Sequence, residues 1–235
     1  MRRALALGER LWGKRDPRVA KVLHNLSGIA YYRGRAADAE RLLERSLAIR
    51  EATLASDDPD LAGSYEALAL LRRRQGRAAA AAALLERQLA TVEKIYGTEH
   101  PEVARVLLNL GLARADLGED DGARGRLERA LAVAERTLKP GQPLLARALG
   151  SLADHHFKHG RFAAAEPLYR RFMAQRAERA EAATDPERDA TVGNWVRLLR
   201  ASGRDAEAAR VEASAAAAPA PGQARGSQAG RARER

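Results

Sequence analysis

The chain contains no cysteine, so neither a disulfide framework nor a thiolate metal site is open to it. Aromatic residues make up only 4%, which argues against platforms for stacking nucleic-acid bases. No apolar run approaches a membrane span. The opening stretch, Met1 to Gly13, reads as amphipathic helix and lacks the apolar core of a signal peptide. The expectation is a cytoplasmic protein with no membrane partner. Lysine is scarce: Lys14, Lys21, Lys94, Lys139 and Lys158 leave arginine to supply most of the 41 basic residues. The formal net charge of +10 suits an acidic or nucleic-acid partner. The Ala/Arg bias of GC-rich bacterial coding accounts for it more simply.

What is present is a grid. Pro17, Pro59, Pro101, Pro143 and Pro186 follow one another at steps of 42, 42, 42 and 43 residues. Seventeen positions after each stands a glycine: Gly34, Gly76, Gly118, Gly160 and Gly203. A fixed period of this size marks a repeat array. Asp16-Pro17, Asp58-Pro59 and Asp185-Pro186 pair an N-cap with proline at the first helical position, where the missing N–H costs nothing. His100-Pro101 and Gln142-Pro143 keep the proline with weaker caps. The glycine then allows the left-handed turn that ends a helix. Each period therefore predicts two helices, A and B.

Aligned columns predict the packing. Leu26, Leu68, Leu110, Leu152 and Trp195 are large; Ser27, Ala69, Gly111, Ala153 and Val196 follow them as a mostly small column. On the second helix Ala39, Ala81, Ala123, Ala165 and Ala208 form another small column. Large residues Leu43, Leu85, Leu127 and Tyr169 then give way to Glu212. Small columns let helices approach; large ones fill the space between hairpins.

This pattern resembles the tetratricopeptide repeat (TPR), and its 42-residue period resembles the kinesin light chain type. The motifs are His100-Pro101-Glu102-Val103-Ala104, Asn109-Leu110-Gly111 and Glu128-Arg129-Ala130-Leu131. The resemblance covers roughly residues 3–213 and implies an all-α, right-handed superhelical solenoid of antiparallel helix hairpins, with about 11 helices. It also implies a protein-binding scaffold whose ligand lies in a concave groove lined by the A helices.

The expected organisation is an orphan second helix at 1–15, repeats at 16–57, 58–99, 100–141 and 142–184, a degenerate repeat at 185–214, and a disordered basic tail at 215–235. The first helix matches the B column, since Leu5 precedes Leu47 by one period. Truncation is favoured over an N-terminal cap, and the exposed face offers a route to self-association. Polar Arg188, Asp189 and Glu212 suit a capping repeat at the other end.

No catalytic constellation with specific spacing is present, so no catalytic residue, cofactor or metal site is assigned and the chain is expected not to be an enzyme. His155 and His159 have a metal-compatible i,i+4 spacing, but no third ligand is evident; both are expected at a helix end, with His156 in a core column. By the resemblance, the column before the central leucine faces the groove: Asn25, Ala67, Asn109, Ser151 and Asn194. A carboxamide can pair a peptide unit without reading its side chain. Lys21, Arg73, Arg74, Arg105, Arg147, Lys158, Arg197 and Arg200 outnumber Glu66, Asp116 and Asp154 on that face, which favours an acidic peptide. Tyr31, Tyr32 and Phe157 are expected to pack between hairpins rather than to touch a ligand. The alternatives are a nucleic-acid-binding helical array, and a sensor or assembly arm of a larger bacterial signalling protein.

Overall fold

The computed structural model describes residues 2–177 and 186–216. These form eleven helices, with no strand among the described residues. Two compact units result, Met1–Thr137 and Leu138–Arg235.

The first unit holds α1 (Arg2–Trp12), α2 (Pro17–Tyr32), α3 (Ala36–Thr53), α4 (Pro59–Arg74), α5 (Ala78–Tyr96), α6 (Pro101–Asp116) and α7 (Asp120–Thr137). Each helix packs on the next in chain order. The second unit holds α8 (Pro143–Lys158), α9 (Phe162–Ala177), α10 (Pro186–Ala201) and α11 (Asp205–Ala216). The expected tail lies outside the described residues from 217 onward, as does Asp185 of the last cap pair.

Proline opens every A helix, and the caps behave as side-chain chemistry requires. Asp16 and Asp58 accept the N–H two residues on, each at 2.8 Å. His100 does the same through Nδ1, at 3.2 Å from the Glu102 N–H, so this weaker cap is nonetheless made. Gln142 makes no side-chain cap bond. At the other end each predicted glycine has positive φ, from 70 to 78°. Gly34 N–H donates to Tyr31 O at 2.8 Å and Arg35 N–H to Ala30 O at 2.9 Å. That pair of bonds is the Schellman arrangement, and it recurs at all five glycines.

The small column is buried throughout: Ala39, Ala81, Ala123, Ala165 and Ala208 are all at or below 1% exposure. Leu68, Leu110, Leu152 and Trp195 are buried, but Leu26 is only half-buried. Glu212 is exposed and pairs with Arg200 at 3.0 Å. Within the second unit, His156 is buried as expected and accepts from Arg161 Nε at 3.1 Å. His155 lies in the last turn of α8 and His159 caps it, as expected; His155 is buried there, with its ring 4.7 Å from that of exposed His159. Phe157 packs against Phe162, ring centroids 5.6 Å apart.

Candidate peptide-binding face

In the first unit the A helices are α2, α4 and α6, and the predicted column runs across them. Asn25 is exposed on α2; Ala67 is half-buried on α4; Asn109 is buried on α6 at 6% exposure. Neither asparagine amide makes a hydrogen bond among the described residues. Asn25 is thus the more accessible of the two.

The cations on this face are mostly neutralised from within. Arg105 pairs with Glu66 on α4 and with Glu102, which it meets at 2.6 Å. Arg73 meets Asp116 at 2.6 Å. These guanidiniums are half-buried, and an acidic ligand would have to displace a carboxylate already in place. Lys21 and Arg74 are exposed and have no carboxylate partner among the described residues. The Arg74 guanidinium lies 5.5 Å from the Tyr31 ring centroid and donates to its hydroxyl.

Asn25 and Arg74 line a cavity of 590 Å³ between α2, α3 and α4, and Lys21 stands one turn before Asn25 on α2, outside the lining. Asn25, Ile29, Tyr31, Leu70, Leu71 and Arg74 are among its walls, and Ala39 and Leu43 of α3 contribute from below. Its volume has a sequence cause. Gly28 stands one period before Leu70 and two before Leu112, so α2 lacks the leucine that α4 and α6 carry. A Cβ at Gly28 would meet nothing within 4 Å. The column of Gly28, Leu70 and Leu112 carries this signal in the sequence. Tyr31, expected to pack between hairpins, both meets Arg74 and lines the cavity.

His24 forms part of the same wall, with a buried Nδ1 that has no partner. Burial, and secondarily the Arg50 guanidinium, holds its pKa below the ordinary imidazole value. Arg50 is itself 4% exposed. It donates to Asp60 O at 2.8 Å, Ser64 Oγ at 2.6 Å and the Asp60 carboxylate at 3.2 Å, tying α3 to α4. A buried cation with three acceptors is a specific joint, since losing the Asp60 carboxylate leaves the charge uncompensated.

In the second unit the column residues have structural work. Asn194 donates to Asp154 Oδ1 at 2.7 Å and accepts from Arg197. Asp154 also accepts from the Tyr169 hydroxyl at 2.8 Å and the Thr191 hydroxyl at 2.5 Å. This carboxylate thus gathers α8, α9 and α10. Burial, reinforced by the Asp154 charge, pushes the Tyr169 phenol pKa up, so it stays a donor. Ser151 and Arg147 are half-buried on α8.

Paired antiparallel helices with proline openings, glycine turns and interlocking small and large columns define an α-solenoid of helix hairpins. The tetratricopeptide repeat profile matches residues 60–136, 113–178 and 19–60, and the chain belongs to that family. Comparison with curated proteins gives no match. Among solved structures, nearly identical TPR-like repeats assigned to a kinesin light chain of Podosopora anserina share 26% identity. They cover 86% of this chain and 95% of that one, with a TM-score of 0.69. BtubC (BKLC) from P. vanneervenii shares 24% identity over 95% and 93% of the two chains, with a TM-score of 0.72. A Rap protein complexed with competence and sporulation factor shares 14% identity over 85% and 63%, with a TM-score of 0.60. These last two likenesses concern the fold. TPR repeats build protein-interaction scaffolds.

Proposed function

We propose that this chain is a non-catalytic scaffold that binds an extended, acidic peptide segment on the A-helix face of its first unit. The observation that carries the reading is the cavity beside Asn25. An apolar peptide side chain fills it, the Asn25 amide pairs with a peptide unit, and Lys21 with Arg74 receives acidic flanks. This places the acidic preference at one end of the unit. The paired Arg73 and Arg105 and the buried Asn109 are secondary to it, and Ser151, Asn194 and Arg147 lie in the other unit. Burying one apolar side chain contributes roughly 1.5–3 kcal/mol, and carboxylate–guanidinium pairs add selectivity.

The nucleic-acid alternative has less behind it, because most arginines on the A-helix face of the first unit already hold carboxylates. Peptide arrays carrying one apolar residue among acidic, neutral or basic flanks, set against random oligonucleotides at two salt concentrations, separate the two. Acidic-flank hits that weaken in Lys21→Glu and Arg74→Glu support the reading. Oligonucleotide binding that survives physiological salt, with no peptide hit, contradicts it.

A further inference from the structure

We propose that Tyr31 and Arg74 together form one receptor for a carboxylate, and that it reads the acidic residue beside the apolar anchor of a bound peptide. The inference rests on the peptide reading and deepens it, giving Tyr31 a part in specificity. Both side chains are walls of the cavity between α2, α3 and α4. The Arg74 guanidinium lies 5.5 Å from the Tyr31 ring centroid and donates to its hydroxyl oxygen. A hydroxyl that accepts in this way still carries its own hydrogen. That hydrogen and the remaining N–H groups of Arg74 have no acceptor among the described residues. Two donor groups are thus held together in the cavity wall.

The same unit shows what such a pair receives. Tyr65 of α4 and Arg87 of α5 make the same ring contact, with guanidinium to centroid 4.7 Å. There Glu51 of α3 completes a triad: its Oε1 accepts from the Tyr65 hydroxyl at 3.2 Å and meets Arg87 at 2.7 Å. A carboxylate suits both donors because it is acceptor-only and takes a charge-assisted bond from each. Arg18, whose guanidinium lies 4.8 Å from the Trp12 ring centroid, also holds a carboxylate, that of Asp16 at 2.9 Å. Of these three arginines over rings, Arg74 alone has no carboxylate partner among the described residues.

Position then sets the register. Tyr31 and Arg74 line the very cavity that takes the anchor. An extended chain advances about 3.3 Å per residue, so the carboxylate they receive belongs to a residue within about two of the anchor. Lys21 stands outside the lining and is left to a more distant acid, as an exposed single charge that salt weakens. Tyr31→Phe removes the hydroxyl alone: the ring, and with it the wall and the contact to the guanidinium, remains.

Short peptides with blocked ends, carrying one leucine or phenylalanine anchor in a serine–glycine background, are titrated against the full chain by NMR. A single glutamate is walked along each peptide, and a glutamine counterpart is made at every position. The readout is the ratio of the two affinities. For the native chain this ratio should peak, at about tenfold, with the glutamate within about two residues of the anchor. Tyr31→Phe should cut it by about threefold and Arg74→Gln should abolish it, while both variants bind the glutamine peptides as the native chain does. Arg74→Lys, which keeps the charge and loses the fork, should recover only part of it. A ratio that Tyr31→Phe leaves unchanged overturns the proposal. So does equal weakening of glutamate and glutamine peptides, which would make Tyr31 a wall and nothing more. A preference that Lys21→Gln abolishes and Arg74→Gln spares overturns the proposal and keeps the peptide reading. Absence of binding by every peptide overturns both.

Discussion

A Cβ placed on Gly111 would stand 2.8 Å from Cγ and Cδ2 of Leu127 and 3.2 Å from its backbone nitrogen. α6 and α7 therefore approach so closely that the small column admits no methyl there, whereas Ala69 and Ala153 fill the same register. Gly111→Ala gains helix propensity yet should destabilise the first unit by about 1–3 kcal/mol, because backbone must move as well as side chain. Urea denaturation of the two proteins checks the sign.

The Asp154 cluster yields a second expectation. Asp154→Ala leaves the hydroxyls of Tyr169 and Thr191 and the amide of Asn194 without their shared acceptor. The cost should be about 2–3 kcal/mol, seen as earlier melting of the second unit. Combining Asp154→Ala with Tyr169→Phe should cost less than the sum of the single changes, since both remove one interaction.

His24 sets a pH limb. Its folded pKa lies below the ordinary value of 6.5, through burial first and Arg50 second, so the neutral ring is the folded form. The unfolded chain then binds the extra proton. The stabilisation is complete above pH 6.5 and is lost as pH falls from there through the folded pKa. The urea midpoint should decline in that window for the native chain, and His24→Gln should flatten this limb.

The fold was legible because each repeat packs chiefly on its neighbours, so one residue type in one column does one job. Proline marked the helix starts and glycine the left-handed turns. The site was less legible because it depends on contacts between repeats that a column does not encode. The Arg105–Glu66 pair spans 39 residues, and no column encodes that these two charges meet. Asn25 and Asn109 share a column, yet one is open and the other buried. The cavity left a mark in Gly28, but it becomes meaningful only once α2, α3 and α4 are seen to enclose that space.

The most direct test is Gly28→Leu, which restores the leucine that Leu70 and Leu112 supply in the next two repeats. No atom within 4 Å opposes the new Cβ, and leaving glycine favours helix by up to about 1 kcal/mol, so the fold should persist or gain stability. Fluorescence anisotropy with an acidic peptide selected for an apolar anchor then measures the cavity alone. The account predicts at least a tenfold loss of affinity with an unchanged or higher melting temperature. Undiminished affinity in the filled variant would contradict it.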